Sequence, residues 1–242
     1  MIARMAVAAF VIAGGQSLRM GRDKALLRLD GQTLVERALG LAAGVSDHVS
    51  IVGPREKLHD IAELRNRGIE LNLVEDIFPG QGPLAGIHAA LRSSQAELNL
   101  MIAVDTPFLD ARFLRYLVDV AEKDGATVTV PVTQKQQKQP PIKTDQHRSN
   151  MNSSDPRSSV KISGPESSLQ YQPLCAVYRR EFAEVAEKAL RASRNNIVPL
   201  FREVRTRAIG DEELRQLAFD PRMFDNLNTP EEWDRARRRN AE

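Results

Sequence analysis

Three short segments of the chain combine glycine, proline and charged residues in patterns that suit phosphate chemistry. The first spans residues 12–24 and reads Ile-Ala-Gly-Gly-Gln-Ser-Leu-Arg-Met-Gly-Arg-Asp-Lys. Glycines let a backbone approach a phosphate closely, and free N–H groups in such a loop point towards anions. Arg19 adds a bidentate donor, and Lys24 adds a point charge. The segment is neither a Walker A loop nor a Gly-x-Gly-x-x-Gly fingerprint. Its glycines alone would also suit an ordinary turn.

The second segment spans residues 75–86 and contains Asp76 followed by Pro-Gly-Gln-Gly-Pro-Leu-Ala-Gly. A rigid turn that opens a helix offers backbone donors and acceptors at fixed positions. The edge of a guanine base needs such a set, with a donor for O6 and acceptors for N1–H and the amino group. Taken alone, the segment equally suits a loop and helix start that bind nothing.

The third segment places Asp105 directly after the apolar run 98–104. A carboxylate at the end of a buried strand is costly unless something pairs with it. Mg²⁺ is bound by one or two carboxylates together with phosphate oxygens and waters. Asp105 is therefore the predicted metal ligand. The competing role, an N-cap, fits Asp110 better because a helical pattern follows it.

Strands and helices alternate around these segments. The capping box of Thr33 and Glu36 marks one helix start. Strands are predicted at 5–13, 48–52, 70–75, 98–104 and 127–132, and helices at 33–43, 57–67, 83–92 and after Asp110. This alternation predicts a Rossmann-like, three-layer α/β/α fold with a mostly parallel sheet. Ligands of such sheets bind at the carboxyl ends of the strands, so all three segments are expected at one rim.

The composition changes in the second half of the chain. Residues 134–168 are rich in lysine, glutamine, serine and proline, with almost no large apolar side chain. Such a segment cannot bury enough surface to offset its ordering entropy, so a flexible polar insert within one domain of residues 1–242 is expected. A nucleic-acid arm is disfavoured because aromatic residues are lacking. A strand at 170–178, a helix at 182–190 and a last helix capped by Thr229 are predicted after it.

Charge and cysteine content restrict the partners and the compartment. The 34 basic and 32 acidic residues leave a net charge of +2, which gives no reason to expect nucleic acid or a membrane as a partner. The single cysteine, Cys175, cannot form an internal disulfide, which suits the cytoplasm. The apolar run 5–13 is too short to span a bilayer and lacks a convincing cleavage region, so it is interpreted as a buried strand.

These motifs, in this order, resemble those of the molybdenum cofactor guanylyltransferases, which have the nucleotide-diphosphosugar-transferase-like fold. The signature Leu-Ala-Gly-Gly-x-Ser-x-Arg-Met-Gly-x-Asp-Lys of that family matches residues 12–24, with isoleucine for leucine. Its Gly-Pro-Leu-Ala-Gly motif matches 82–86, and its Asp-x-Pro-Phe/Tyr motif matches 105–108. Gln-Pro-Leu matches 172–174, and Asn-x-Asn-Thr-Pro-Glu matches 226–231.

The resemblance implies transfer of GMP from GTP to the terminal phosphate of molybdenum-molybdopterin, with Mg²⁺, or Mn²⁺ in its place, as cofactor. It implies catalytic roles for Arg19, Lys24 and Asp105, of which Asp105 would hold the metal. The residues implied in binding are Ile12, Ala13, Gly14, Gly15, Lys24, Asp76, Gly82, Pro83, Leu84, Asp105, Asn226 and Asn228. Asp76 would contact the nucleoside, and the two asparagines would close the site near the metal or the pterin. Molybdenum-insertion proteins or molybdoenzyme chaperones are expected partners.

Two departures and three alternatives accompany the resemblance. The family often has an asparagine after its second strand, where this chain has Val52 or Gly53. The insert 134–168 also falls near the place where the second substrate docks. A sister enzyme that uses CTP remains an alternative, although it tends to carry Ala-Ala-Gly in the first loop. A transferase with another phosphorylated acceptor and a non-catalytic nucleotide-binding module are the others.

Overall fold

Strands and helices alternate along the chain in the computed structural model, which describes residues 5–14, 24–62, 72–134, 169–227, 229, 232–233 and 236–237. The strands are β1 (Val7–Ile12), β2 (Arg28–Leu29), β3 (Gln32–Thr33), β4 (His48–Gly53), β5 (Asn72–Glu75), β6 (Leu98–Ala103), β7 (Val128–Gln134), β8 (Leu169–Tyr171), β9 (Cys175–Arg179) and β10 (Thr206–Ile209). The helices are α1 (Leu34–Ala43), α2 (Arg55–Ala62), α3 (Pro83–Ser93), α4 (Ala111–Asp124), α5 (Phe182–Arg191) and α6 (Asp211–Gln216). Short 3-10 turns cover Lys24–Leu26, Val198–Arg202 and Pro221–Phe224.

The main sheet has eight strands within the described residues. Its order is β10-β7-β9-β6-β1-β4-β5, with β8 paired to β7, while β2 and β3 form a separate hairpin. β1 pairs in parallel with β4 and β6, and β4 with β5. β9 is antiparallel to both β6 and β7. The prediction of a mostly parallel sheet covered by helices is therefore confirmed.

The alternating side chains of β1 divide the core between the two faces of the sheet. Ala9 and Val11 join a buried cluster with residues of α1, α2 and α4. Phe10 and Ile12 point the other way and join α3 and α5. Burial of one large apolar side chain contributes roughly 1.5–3 kcal/mol, so the two clusters hold the three layers together. No described helix has the length and apolar composition needed to cross a membrane.

Local start signals predicted the helices that flank the site. Thr33 caps α1, and its side chain and that of Glu36 form the reciprocal capping box. Asp110 caps α4, and its Oδ1 accepts a hydrogen bond from the Arg112 N–H at 2.7 Å. α2 begins at Arg55, two residues earlier than predicted; residues 63–67 of that prediction lie outside the described residues. Residues 70–71 of the predicted strand 70–75 and residues 135–168 of the insert lie outside them too.

The predicted single strand at 170–178 is wrong. The structure has β8 and β9 there, separated by a turn in which the Cys175 N–H donates to the Gln172 carbonyl at 2.9 Å. Pro173 lies inside this turn and has no N–H for a sheet ladder, which explains the break. The β2–β3 hairpin was not predicted. Its Asp30-Gly31 turn has positive φ at both residues, 51° and 83°, and Asp-Gly is a strong hairpin signal.

Candidate functional site

The carboxyl ends of four parallel strands form one edge of the sheet. Ile12 at the end of β1 lies in register with Val52 of β4 and with Ala103 of β6. The ladder extends beyond the strands, because the Ala13 N–H donates to the Val52 carbonyl at 2.8 Å. The Asp76 N–H likewise donates to the Gly53 carbonyl at 3.0 Å. The chain at Gly14 after β1, Asp76 after β5 and Asp105 after β6 therefore leave the sheet at the same edge.

A lysine–aspartate ion pair occupies this edge. Nζ of Lys24 donates to Oδ2 of Asp105 at 3.1 Å, although 81 residues separate them in sequence. Their side chains are only 14% and 25% exposed. Asp105 follows β6, and a bond from the Thr106 hydroxyl to the Ala103 carbonyl at 3.0 Å holds the turn between them. Lys24 is therefore the partner that a carboxylate at the end of a buried strand requires.

Asp76 lies on the other side of β1, after β5. Its Oδ1 accepts a hydrogen bond from the Phe78 N–H at 3.0 Å, so the carboxylate is oriented by the backbone that follows it. The side chain is half-buried, and this burial raises the pKa of the carboxyl above its ordinary value. A desolvated carboxylate at the sheet edge is suited to accept hydrogen bonds from a ligand.

The amino-terminal end of α3 is packed directly onto the end of β1. A side chain at Gly86 would place its Cβ 3.3 Å from Cγ2 of Ile12, so the absence of a side chain permits this approach. Gly82 caps α3 with φ of 74°, and Pro83 occupies the first helical turn. Gly82 has no side chain to accept the N–H groups of that turn. Pro83 has no N–H and the Ala85 N–H donates to the Gly82 carbonyl at 3.1 Å, so the Leu84 N–H is the donor that this helix start can offer beside the end of β1.

A segment near the carboxyl terminus completes the edge. The Leu227 N–H donates to the Asp105 carbonyl at 3.0 Å. Leu227 and Trp233 are buried together with Leu29 and Leu34 of the hairpin region. The predicted cap of the last helix is confirmed, because the Glu232 N–H donates to the Thr229 hydroxyl and the Glu232 carboxylate accepts from the Thr229 N–H. This packing attaches the chain around Asn226, which is exposed, to the turn that carries Asp105.

The profile of the MobA-like NTP transferase domain matches residues 9–205. The chain belongs to the MobA-like NTP transferase family. It is 31% identical over 229 residues to a probable molybdenum cofactor guanylyltransferase of Pelotomaculum thermopropionicum, with 94% of this chain and 90% of that protein covered. It is also 31% identical over 232 residues to a molybdenum cofactor guanylyltransferase of Desulfosudis oleivorans, with 96% and 94% covered. This MobA-like protein is therefore an enzyme, a nucleotidyltransferase.

Solved structures have the same fold. Molybdopterin-guanine dinucleotide biosynthesis protein A from Archaeoglobus fulgidus superposes with a TM-score of 0.70 at 25% identity, over 97% of this chain and 98% of that one. A 4-diphosphocytidyl-2C-methyl-D-erythritol synthase from Anaerococcus prevotii superposes with a TM-score of 0.68 at 14% identity, over 98% and 97%. At 14% identity the second similarity supports the nucleotide-diphosphosugar-transferase-like fold alone.

The edge of this MobA-like transferase suits a metal that is shared with a phosphate. Among the described residues, no three acidic, histidine or cysteine side chains come together as a metal cluster. Asp105 instead offers one carboxylate, partly exposed and next to an ammonium group. Mg²⁺ characteristically takes one or two carboxylates and completes its shell with phosphate oxygens and waters. The donor set at this edge fits that cation.

The predicted site residues of the transferase fall into three groups. Gly15, Arg19 and Asn228 lie outside the described residues. Ile12, Ala13 and Leu84 lie at the edge, but their side chains are buried in the core, so only their backbone can meet a ligand. The remaining residues lie at the edge with accessible atoms, and they are Gly14, Lys24, Asp76, Gly82, Pro83, Asp105 and Asn226.

Proposed function

We propose that this transferase moves GMP from GTP to the terminal phosphate of molybdenum-molybdopterin, forming a guanine dinucleotide and releasing pyrophosphate. The observation that carries the proposal is the Lys24–Asp105 pair at the sheet edge that also holds Asp76 and the start of α3. The names of the relatives that cover more than nine-tenths of the chain support the choice of GTP and a pterin acceptor.

The proposed roles follow from the chemistry of each group. The backbone of Gly14 and Gly15, with Lys24 and Arg19, would bind the triphosphate. Asp76 would accept hydrogen bonds from the nucleoside, and the turn at Gly82–Leu84 would meet the guanine edge. Asp105 would hold Mg²⁺, while Asn226 and Asn228 would close the site beside the metal or the pterin. Lys24, which contacts Asp105 in the structure, would then also contact a phosphate oxygen.

The reaction forms a bond between an acceptor phosphate oxygen and the α-phosphorus of GTP, and it breaks the bond from that phosphorus to the bridging oxygen of pyrophosphate. The attacking oxygen is already anionic, so no strong general base is required. The chain must bring two mutually repelling anions together, which makes positioning and electrostatics the main contributions. Lys24 and Arg19 would supply fixed positive charge, and Mg²⁺ when bound would neutralise negative charge on the phosphates.

A product assay tests this proposal. The purified protein is incubated with molybdenum-molybdopterin, Mg²⁺ and either GTP, CTP or ATP, and the products are identified by mass spectrometry. With GTP, the expected products are a molybdopterin guanine dinucleotide and one pyrophosphate per dinucleotide, and both require the acceptor. Preferential formation of a cytosine dinucleotide would contradict the choice of GTP. Absence of any dinucleotide from a folded protein would contradict the proposal as a whole.

A further inference from the structure

Phe78 is held between two side chains from the helices behind the site. Its ring and that of His88 on α3 meet edge-on, with centroids 5.2 Å apart and an interplanar angle of 68°. The guanidinium of Arg191, the last residue of α5, lies 6.0 Å from the Phe78 ring centre. Both distances are those of attractive aromatic and cation–π contacts. The loop that carries Phe78 is thus attached to α3 and α5 together.

Glu187 of α5 joins the two side chains that hold Phe78. Its Oε1 accepts hydrogen bonds from Nε and an Nη of Arg191, at 3.0 and 2.7 Å. Its Oε2 lies 3.5 Å from Nε2 of His88. His88, Phe78, Arg191 and Glu187 therefore form a closed ring of contacts. This set of four residues is called the Phe78 clamp.

His88 is an unusual residue for the position it occupies. Its side chain is 3% exposed, and neither ring nitrogen makes a well-formed hydrogen bond with any described residue. A buried polar ring without a well-formed hydrogen bond is costly, so an aliphatic residue would fill this place at lower cost if packing were the only requirement. The imidazole does make an edge contact with Phe78, and it approaches Glu187.

The backbone of Phe78 connects this clamp to the site. Its N–H donates to Oδ1 of Asp76 at 3.0 Å, and its carbonyl accepts from the Gln81 N–H at 3.3 Å. A displacement of Phe78 would therefore move the Asp76 carboxylate and the turn before α3 at the same time.

We infer that His88 is a positioning residue of the nucleotide site, acting through Phe78 on the Asp76 carboxylate. The inference rests on the proposed contact of Asp76 with the nucleoside. His88 is buried behind the loop and acts on the geometry of the loop, so its loss changes how tightly GTP binds and leaves the chemistry at Lys24 and Asp105 in place. A double-mutant cycle separates this action from a general loss of stability.

The cycle measures the dissociation constant of GTP by calorimetry for the wild type, His88→Leu, Asp76→Ala and the double variant. His88→Leu is expected to weaken binding ~3- to 10-fold, the size of one lost aromatic contact, with kcat at saturating GTP changed less than about twofold. If His88 acts through Asp76, the double variant binds GTP no more weakly than Asp76→Ala. His88→Phe retains a ring edge against Phe78 and is expected to restore most of the lost affinity.

Leu117→Ala is the control for stability, because Leu117 is fully buried on α4, on the opposite face of the sheet. It should lower the melting temperature without changing the affinity for GTP. If His88→Leu does not fold, Phe78→Leu replaces it in the same cycle.

The outcomes distinguish the inference from the function on which it rests. Additive effects in the cycle, or a His88→Leu variant with wild-type affinity, overturn the inference and leave the GTP site intact. An Asp76→Ala variant with unchanged affinity overturns the role of Asp76 and the inference with it. A wild-type protein that does not bind GTP overturns the proposed function.

Discussion

The Lys24–Asp105 pair allows the sharpest single perturbation. Asp105→Asn removes the negative charge but keeps the size and shape of the side chain. In the wild type, Nζ and Oδ2 are 3.1 Å apart, and the carboxylate is 25% exposed. The substitution therefore takes away one partly solvated ion pair and the proposed ligand of Mg²⁺, without opening a cavity.

The two roles of the pair predict effects of different size. Ion pairs with solvent access contribute about 0.2–1 kcal/mol, so the free energy of unfolding should fall by no more than ~1 kcal/mol. For a chain of this length that corresponds to a melting temperature lowered by at most ~4 °C. Removing one group that stabilises charge in a transition state typically lowers turnover by ~10²–10³, which corresponds to about 2.7–4 kcal/mol. Expressed as free energies, the loss of transition-state stabilisation should thus be several times larger than the loss of folding stability.

Turnover is measured as GTP-dependent pyrophosphate release with the pterin acceptor, and stability by thermal melting. The control is Asp124→Asn, which breaks an ion pair with the more exposed Arg205 at 3.2 Å, at the far end of α4. The Asp124 side chain is 30% exposed, close to the value for Asp105. The control should show a similar small change in melting temperature and wild-type turnover. A folded Asp105→Asn enzyme with turnover within about threefold of wild type would refute the proposed role.

Three further predictions concern the elements around the site. Asp76→Asn should raise the melting temperature at neutral pH. Burial raises the pKa of the Asp76 carboxyl in the folded protein, so the wild type loses stability as the pH rises from 3.8 through that raised pKa, and the uncharged amide avoids this loss. Melting curves should show that the higher melting temperature of the variant disappears below pH 3.8. An equal melting temperature of variant and wild type at neutral pH would contradict the prediction. Thr33→Ala should lower the free energy of unfolding by about 1 kcal/mol in urea, whereas Thr33→Ser should not; equal stabilities would argue against the cap. Trp233→Ala should cost ~3 kcal/mol or more and reduce turnover, because Leu227 in the same cluster bonds to Asp105; an unaffected enzyme would show that this packing is dispensable.

Local signals explain how much of the fold the sequence predicts. The capping box at Thr33 and the cap at Asp110 act within one helical turn, so they can be read from neighbouring residues. The direction of β9 cannot be read in this way. An apolar strand has the same pattern in either direction, and its antiparallel pairing with β6 and β7 depends on where the preceding chain returns to the sheet. The split between β8 and β9 was signalled by Pro173, which lies in the middle of the predicted strand.

In the site, too, the residue types could be predicted from the sequence and their tertiary contacts could not. Asp105 and Lys24 were each predicted from residue type and position, but their contact spans 81 residues and depends on the turn at Lys24–Leu26, which no periodicity indicates. The burial of Ile12 and Ala13 agrees with the buried strand predicted at 5–13. That only the backbone of these two residues and of Leu84 can meet a ligand could not be predicted, because a motif records which residues are present and not which atoms face a ligand.

The Phe78 clamp could not be predicted from the sequence. In the sequence, His88 occupies one position of an ordinary helical face, with the spacing of a core residue. Its partners come from the loop after β5 and from α5, about a hundred residues further along the chain. Only the packing of α3 against α5 brings these side chains together, which is a tertiary contact without a local signature.

A structure of the protein with Mg²⁺ and an α,β-methylene analogue of GTP tests the central claim most directly. The triphosphate is predicted to lie between the backbone of Gly14 and Lys24, with the metal on Asp105 and the guanine against the turn at Gly82–Leu84. A nucleotide bound at another face, with Lys24 and Asp105 still joined to each other and touching neither metal nor phosphate, would contradict it.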